Sequence, residues 1–209
     1  MTEEQLDRLA AHPHITRFIH AIARHPGHQI QPTGVTRLAA ILLAFRARGD
    51  GEPELLMIKR ADAVGDPWSG HIACPGGRME PSDRDLAVTA VRETLEETGV
   101  DISRDGRLIG QLDDLTPISP TLAPIIIRPF VAIVRSDVAI LPSHEVASAF
   151  WVPISALREP GAWGTGVVQV GSGQRSVSMF HHGEHVVWGL TERVLRQFLT
   201  LVGEAPKSP

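Results

Sequence analysis

Cysteine is almost missing: Cys74 is the single one in 209 residues. An intrachain disulfide is therefore excluded, and a reducing, cytoplasmic setting is expected. Cys74 lies in the apolar run before Pro75, where a small core residue is expected. Long apolar runs are missing too. None approaches the roughly 20 residues that span a bilayer, and the opening Met1-Thr2-Glu3-Glu4 is acidic where a secretory signal is basic. Neither a membrane partner nor a signal peptide is expected. Positive charge is in deficit, 20 Lys and Arg against 24 Asp and Glu for a net charge of −4, so nucleic acid is not the expected partner. No internal repeat divides the chain.

What is present suits one globular body. Hydrophobic residues make up 43% and charged residues 21%, enough for a real core. Residues 3–24 are expected to be helical, interrupted near His12-Pro13. Ile15, Phe18, Ile19 and Ile22 fall at i, i+3, i+4 and i+7, so this segment packs on the body or on a second copy of the chain, which leaves a homodimer open. His12, His14, His20, His25 and His28 share no good face across the proline break, and no metal site is expected there. Residues 26–34 read as a linker. Strands are expected over 37–46, 55–59, 71–74, 106–112, 123–134 and 149–152, with Pro124 and Pro129 marking an edge or a bulge. A helical turn over 154–157 and late strands over 167–170, 176–180 and 184–187 follow. Residues 190–201 form a closing helix with Leu190, Val194, Leu195, Phe198, Leu199 and Leu201 on its apolar side. The layout is mixed α/β. An N-terminal helical extension (1–30), a main domain (31–203) and a flexible tail (204–209) are expected.

The chemistry concentrates between Pro75 and Val100. The Pro75-Gly76-Gly77 turn leads toward a helix capped by Asp83 or Ser82 and stopped by Gly99. On that helix Glu93 and Glu97 are four apart and Glu96 joins them three residues after Glu93. Like charges at this spacing, in the last helical turn, destabilise a helix on two counts. A divalent cation offsets both, and hard oxygen ligands suit Mg²⁺ or Mn²⁺. Arg92 beside the cluster is placed to orient a carboxylate, and a free carbonyl at Gly76 could add a ligand.

These residues resemble the Nudix box of the Nudix hydrolase family, G-x5-E-x7-R-E-U-x-E-E-x-G-U with U aliphatic. The stretch from Arg92 to Val100 matches except that Thr94 stands at an aliphatic position. At the front, the sixth residue after Gly77 is Asp83, and counting back from Arg92 the position where the pattern has its Glu holds Arg84, so the box is one residue longer. Asp83 or Asp85 stands in for the first acid. The longer box is similar to that of the coenzyme A pyrophosphatase branch, as are four flanks: residues 65–71, 119–128, Glu145-Val146 with 150–153, and 187–191. Asp66 and Cys74 depart from that branch, where an Arg and a Phe are usual.

The resemblance implies a Nudix-type α/β/α sandwich with a mixed β-sheet. It implies a Mg²⁺- or Mn²⁺-dependent hydrolase that cleaves the diphosphate of a nucleoside diphosphate linked to another moiety, coenzyme A or a derivative first, giving 3′,5′-ADP and a phosphopantetheine product. ADP-ribose, NADH or another nucleotide is the alternative substrate, and a non-catalytic nucleotide-binding module the alternative class. Glu93, Glu97, Glu96 and the Gly76 carbonyl are the expected metal ligands. Glu93, Glu96, Arg92 and the late loop residue Glu145 are the expected catalytic groups, with the base left open among Glu93, Glu96 and Glu145. Arg78, Arg60 and Gly77 are the expected substrate contacts. Asp113 and Asp114 are weaker candidates, and Trp68 and Trp163 are expected to pack rather than to stack on a base.

Overall fold

The computed structural model describes residues 9–49, 51–66, 68–117, 123–170 and 173–205. The start of the expected N-terminal helix, Pro67 and residues 119–122 of two flanks, and 206–209 of the tail lie outside the described residues.

Strand β1 (Arg37–Arg46) is buried along most of its length. A strand can be so apolar only when both faces of its sheet are covered. Alternation divides β1 between two cores: Leu43 and Phe45 enter one, Ala40, Leu42 and Ala44 the other. The sheet around it runs β3 (Ile72–Ala73), β2 (Glu54–Arg60), β1, β6 (Ile125–Val134), β5 (Gly106–Gln111). Strand β4 (Gly76–Arg78) also pairs with β1, and β7 (Val146–Pro153) with β2. The β1–β6 pair is parallel and the others are antiparallel, so the sheet is mixed.

Helix α1 (Pro13–Ala23) and helix α5 (Leu190–Leu201) cover the first face. Their Ile15, Phe18, Ile22, Val194, Leu195, Phe198 and Leu199 meet Leu43 and Phe45. Phe45 lies 4.6 Å from Phe198, stacked, and 5.2 Å from Phe18. Of the two partners open to α1, the body is the one it packs on. Helix α2 (Leu86–Thr98) covers the second face through Leu86 and Ala90. The result is an α/β/α sandwich. The short helices α3 (Ile102–Asp105) and α4 (Ile154–Arg158) sit at strand ends, and β8 (Trp163–Val170), β9 (Gly173–His182) and β10 (His185–Trp188) form a separate antiparallel sheet. No helix among the described residues is long and apolar enough to cross a membrane.

Three expectations about the strands need correction, and one further helix is present. Pro129 is not at a sheet edge, because β6 is flanked by β1 and β5; its own partner strand leaves the ladder after Gln111, so the missing N–H breaks no strand pair. Gly76-Gly77 is a strand rather than a turn: Gly76 has φ 153° and lies so close to the Ala40 carbonyl and Ile41 that any Cβ would overlap them. Strands β8 and β9 begin earlier than their apolar runs, since Gly164 and Gly166 disguise a continuous ladder to β9. Helix α3 was not expected; Asp101 caps it by accepting from Ser103 and Arg104 N–H.

Removing the ring of Phe45 leaves a void between α1 and α5. Phe45→Ala is expected to lower the free energy of unfolding by about 3–5 kcal/mol, read from urea denaturation. A loss below 1 kcal/mol would show that the three-ring contact does not hold these helices to the sheet.

Candidate active site

Helix α2 is positioned at both ends before its carboxylates are considered. Asp85 is the N-cap, accepting from Val88 N–H at 2.9 Å, in place of the Asp83 or Ser82 expected. Asp83 is drawn elsewhere, to Arg92. Gly99 closes the helix at φ 72° with its N–H on Leu95 O. Two loose carbonyls of the last turn are met by the loop before β7: Ser143 N–H donates to Glu97 O at 3.0 Å and Leu141 N–H to Thr98 O at 2.8 Å. Thr94, at the aliphatic position of the pattern, is fully buried and bonds its hydroxyl to Ala90 O at 2.7 Å, so its polarity is satisfied within the helix.

Arg92 ties the acidic residues together. Its Nε and Nη2 donate to the two oxygens of Asp83 at 3.0 and 2.9 Å, a bidentate pair, and Nη2 also reaches the Arg78 carbonyl at 3.0 Å. Nη1 donates to Glu93 Oε1 at 3.0 Å and Glu96 Oε2 at 2.9 Å. Asp83, not Asp85, is therefore the first acid of the box. It also accepts from Glu80 N–H at 2.9 Å and the Thr89 hydroxyl at 3.0 Å. The Arg92 bonds, with the other donors, hold its carboxyl far below the usual carboxylate range despite its burial. Asp83 in turn raises the Arg92 pKa above its usual value. Glu80 sits in the turn that presents its N–H, and its exposed carboxylate lies 3.9 Å from Arg92 Nη1.

Glu97 points inward, its side chain 3% exposed, while Glu96 is 56% exposed. Glu97 Oε2 accepts from Gly76 N–H at 2.9 Å, and Oε1 lies 3.6 Å from Arg60 Nη1. Burial pushes the Glu97 pKa up to about 7 against the pull of Gly76 and Arg60; the charges of Glu93 and Glu145 push the same way. Burial also raises Glu93, with Arg92 opposing and Glu96 and Glu145 adding to the rise. Glu145 is thus brought electrostatically close to both glutamates although it lies some fifty residues later in the chain. Its exposed carboxylate takes no hydrogen bond or ion pair among the described residues. Gly77 passes so near Glu93 that a Cβ there would overlap its carboxylate.

The arginines divide. Arg78 uses its carbonyl on Arg92 and leaves its side chain exposed. Arg60 is bonded to Asp66 and faces Glu97, a link between the 60–66 segment and α2 that sequence spacing does not signal. Asp113 and Asp114 are elsewhere: Asp114 pairs with Arg128 and accepts from Ile30 N–H, and Asp113 accepts from His28 N–H and pairs with His25, so both fasten the linker to the sheet. Trp163 packs on Phe180 and donates to Leu157 O. Cys74 is buried, its thiol pushed up to about 12 by desolvation, and lies in the core as expected.

Among the described residues no three His, Cys, Asp or Glu side chains close around one point. The glutamates turn instead to Arg92, Arg60 and the Gly76 N–H. The donor set is nonetheless all oxygen and short of positive charge around Glu97, which fits a hard divalent cation.

Comparison with known proteins agrees with this geometry. The NUDIX domain family matches residues 35–168. Uncharacterized protein C14C4.10c of Schizosaccharomyces pombe is 34% identical over 156 residues, 63% of this chain and 46% of that protein, so the chain spans about half of that relative. Mitochondrial coenzyme A diphosphatase NUDT8 of Homo sapiens is 29% identical over 164 residues, covering 76% of this chain and 67% of that protein. A MutT/nudix family protein from Enterococcus faecalis has the same fold, with TM-score 0.57 and 15% identity over 97% of this chain and 75% of that one. With the family match spanning more than half of the residues, and the box residues gathered at one end of α2, the chain belongs to the Nudix hydrolase family.

Proposed function

We propose that this protein is a Mg²⁺- or Mn²⁺-dependent pyrophosphohydrolase that cleaves the diphosphate of a nucleoside diphosphate linked to another moiety, with coenzyme A or a derivative as substrate and 3′,5′-ADP and a phosphopantetheine product released. The observation that carries this reading is Glu97: a buried carboxylate beside Glu93 and within the field of Glu145, with one arginine at 3.6 Å as its counter-charge. Glu93, Glu97 and Glu96, with the Gly76 carbonyl, would hold the cation. A divalent ion supplies neutralisation of the diphosphate and a lowered pKa for the attacking water.

The chain's own residues do the rest. Arg92 orients Glu93 and Glu96 by fixing one oxygen of each. Of the three candidates for general base, Glu145 is the one free of an arginine, which favours it for taking the proton from water. Arg78, exposed beside Gly77, is available to a phosphate oxygen. The coenzyme A preference rests on the longer box, on the flanks, and on the name of the human relative. The full set of Arg92, Glu93, Glu96 and Glu97 favours an enzyme over a binding module.

A screen of coenzyme A, ADP-ribose and deoxynucleoside triphosphates with Mg²⁺ or Mn²⁺ separates the substrates. Release of 3′,5′-ADP from coenzyme A as the fastest reaction is expected; faster turnover of ADP-ribose would reassign the substrate. Glu93→Gln, Glu97→Gln and Glu145→Gln should each lower kcat by at least about 100-fold, the scale of general-base and electrostatic terms. Full activity in Glu97→Gln would sink the metal assignment, and in Glu145→Gln the base.

Glu97 also gives a pH signature without metal. Its folded pKa is raised, so between about pH 4 and pH 7 the folded protein keeps a proton that the unfolded chain has lost. This group's contribution therefore falls through that window, by on the order of 3 kcal/mol, and is flat above it. Thermal melts in chelator should show wild type losing stability relative to Glu97→Gln as pH rises from 4 to 7, and Mg²⁺ stabilising wild type more at pH 8 than at pH 5. Parallel melting curves for the two proteins would remove Glu97 as the source.

A further inference from the structure

Strand β2 breaks register against β7 between Lys59 and Arg60. The extra residue is Ala147 of β7, so the bulge lies on β7 opposite Arg60, where β2 ends. The backbone is pinned on both sides: Arg60 N–H donates to His71 O at 3.0 Å and Ala61 N–H to Glu145 O at 2.9 Å. Arg60 Nη2 and Nε both donate to Asp66 Oδ2, at 2.8 and 3.3 Å. The other oxygen of Asp66 accepts from Trp68 N–H at 3.0 Å, so the holder is itself held. Nη1 faces Glu97 Oε1 at 3.6 Å, an attraction of charges beyond hydrogen-bond length. Arg60 is thus gripped from one side and turned toward the buried carboxylate on the other, with its side chain 28% exposed and open to a ligand.

We propose that Arg60 is the counter-ion of Glu97 in the metal-free protein and becomes, once a divalent cation takes over Glu97, a binding residue for a phosphoryl oxygen of the substrate diphosphate, with Asp66 as its positioning residue. This rests on the reading that Glu97 binds metal. A cation at Glu97 makes Arg60 redundant there and sets two positive charges side by side. Asp66 neutralises part of Arg60 and keeps it in place, so the surplus charge is met by an anion entering between them. A diphosphate has the charge, and the guanidinium fork has the matching donors.

The coupling predicts opposite signs for two affinities in one variant, which general loosening of the fold does not produce. Isothermal titration of Mn²⁺ alone, and then of α,β-methylene-ADP into Mn²⁺-saturated protein, measures both. Arg60→Gln is expected to bind Mn²⁺ about tenfold more tightly and the nucleotide analogue about tenfold more weakly, the usual scale of a one-charge coupling. Arg60→Lys, which keeps the charge, should return Mn²⁺ affinity to that of wild type while recovering the analogue only in part. Asp66→Asn keeps Arg60 charged but untied and should weaken Mn²⁺ binding, the reverse of Arg60→Gln. Arg60 variants in which the two affinities stay unchanged or fall together would overturn the proposal. Wild type that binds Mn²⁺ no better than Glu97→Gln would instead overturn the metal reading beneath it.

Discussion

One guanidinium makes this site possible. Arg92 bonds Asp83 with two nitrogens, Glu93 and Glu96 with the third, and the Arg78 carbonyl besides. Without it, three glutamates in the last turns of α2 would repel one another and face the negative end of the helix dipole. Lysine could not replace it, since a point charge on a flexible stem does not span a carboxylate on one side and two on another. The same contacts join the segment after β4 to the helix. The loop that precedes α2 and the acids at its far end are thus one rigid unit, with Asp83 as its buried anchor.

That unit is set on a sheet with little freedom. Strand β1 is paired in parallel with β6 along nearly its whole length and receives β4 directly, so the strand that carries Gly76 is fixed by the two-sided core. Gly76 N–H then fixes Glu97. The absence of two side chains is what allows the approach: Gly76 lies on β1 and Gly77 lies under Glu93. Burying Glu97 costs stability, and the protein accepts that cost at the position where a cation is proposed. A conflict between local rules and global fold at one place is the usual mark of a functional site.

Much of this could be read from the chain. The period of α2, its Gly99 stop, the apolar faces of α1 and α5, and the alternating strands β1 and β2 are properties of nearest neighbours on a helix or strand, and they survive folding unchanged. The misreadings share a different cause. Gly76-Gly77 looks like a turn, and Gly164 and Gly166 hide the start of β8, because glycine has no local strand preference, and only their pairing partners make them strands. Asp83 and Asp85 were equivalent as acids in sequence; a long-range bond to Arg92 separated the anchor from the cap. The Arg60–Glu97 contact joins the end of β2, opposite a bulge in β7, to a helix almost forty residues later, and no spacing announces it. Asp66, a departure from the branch pattern when read alone, acquires a role once it is seen to hold Arg60.

The extra residue of the box can be placed by the same reasoning. Asp83 is six residues after Gly77, where the family's pattern has its first acid, so the addition falls between Asp83 and Arg92. Helix α2 does not begin until Leu86, and its cap Asp85 bonds back to Val88. An insertion inside the helix would rotate Arg92, Glu93 and Glu97 by about 100° relative to the residues before it. An insertion before the cap rotates nothing. The turn from Glu80 to Asp83, closed by Asp83 N–H on Glu80 O at 3.0 Å, leaves Arg84 and Asp85 exposed as the slack. Aspartate, one methylene shorter than glutamate, still reaches Arg92 with both oxygens because the loop brings its backbone to the helix. The longer box therefore alters the approach to α2 at the exposed Arg84 and Asp85, and leaves the geometry of the acidic cluster intact. A difference of substrate within the family is accordingly expected from this rim and from the Arg60 side, not from the helix itself.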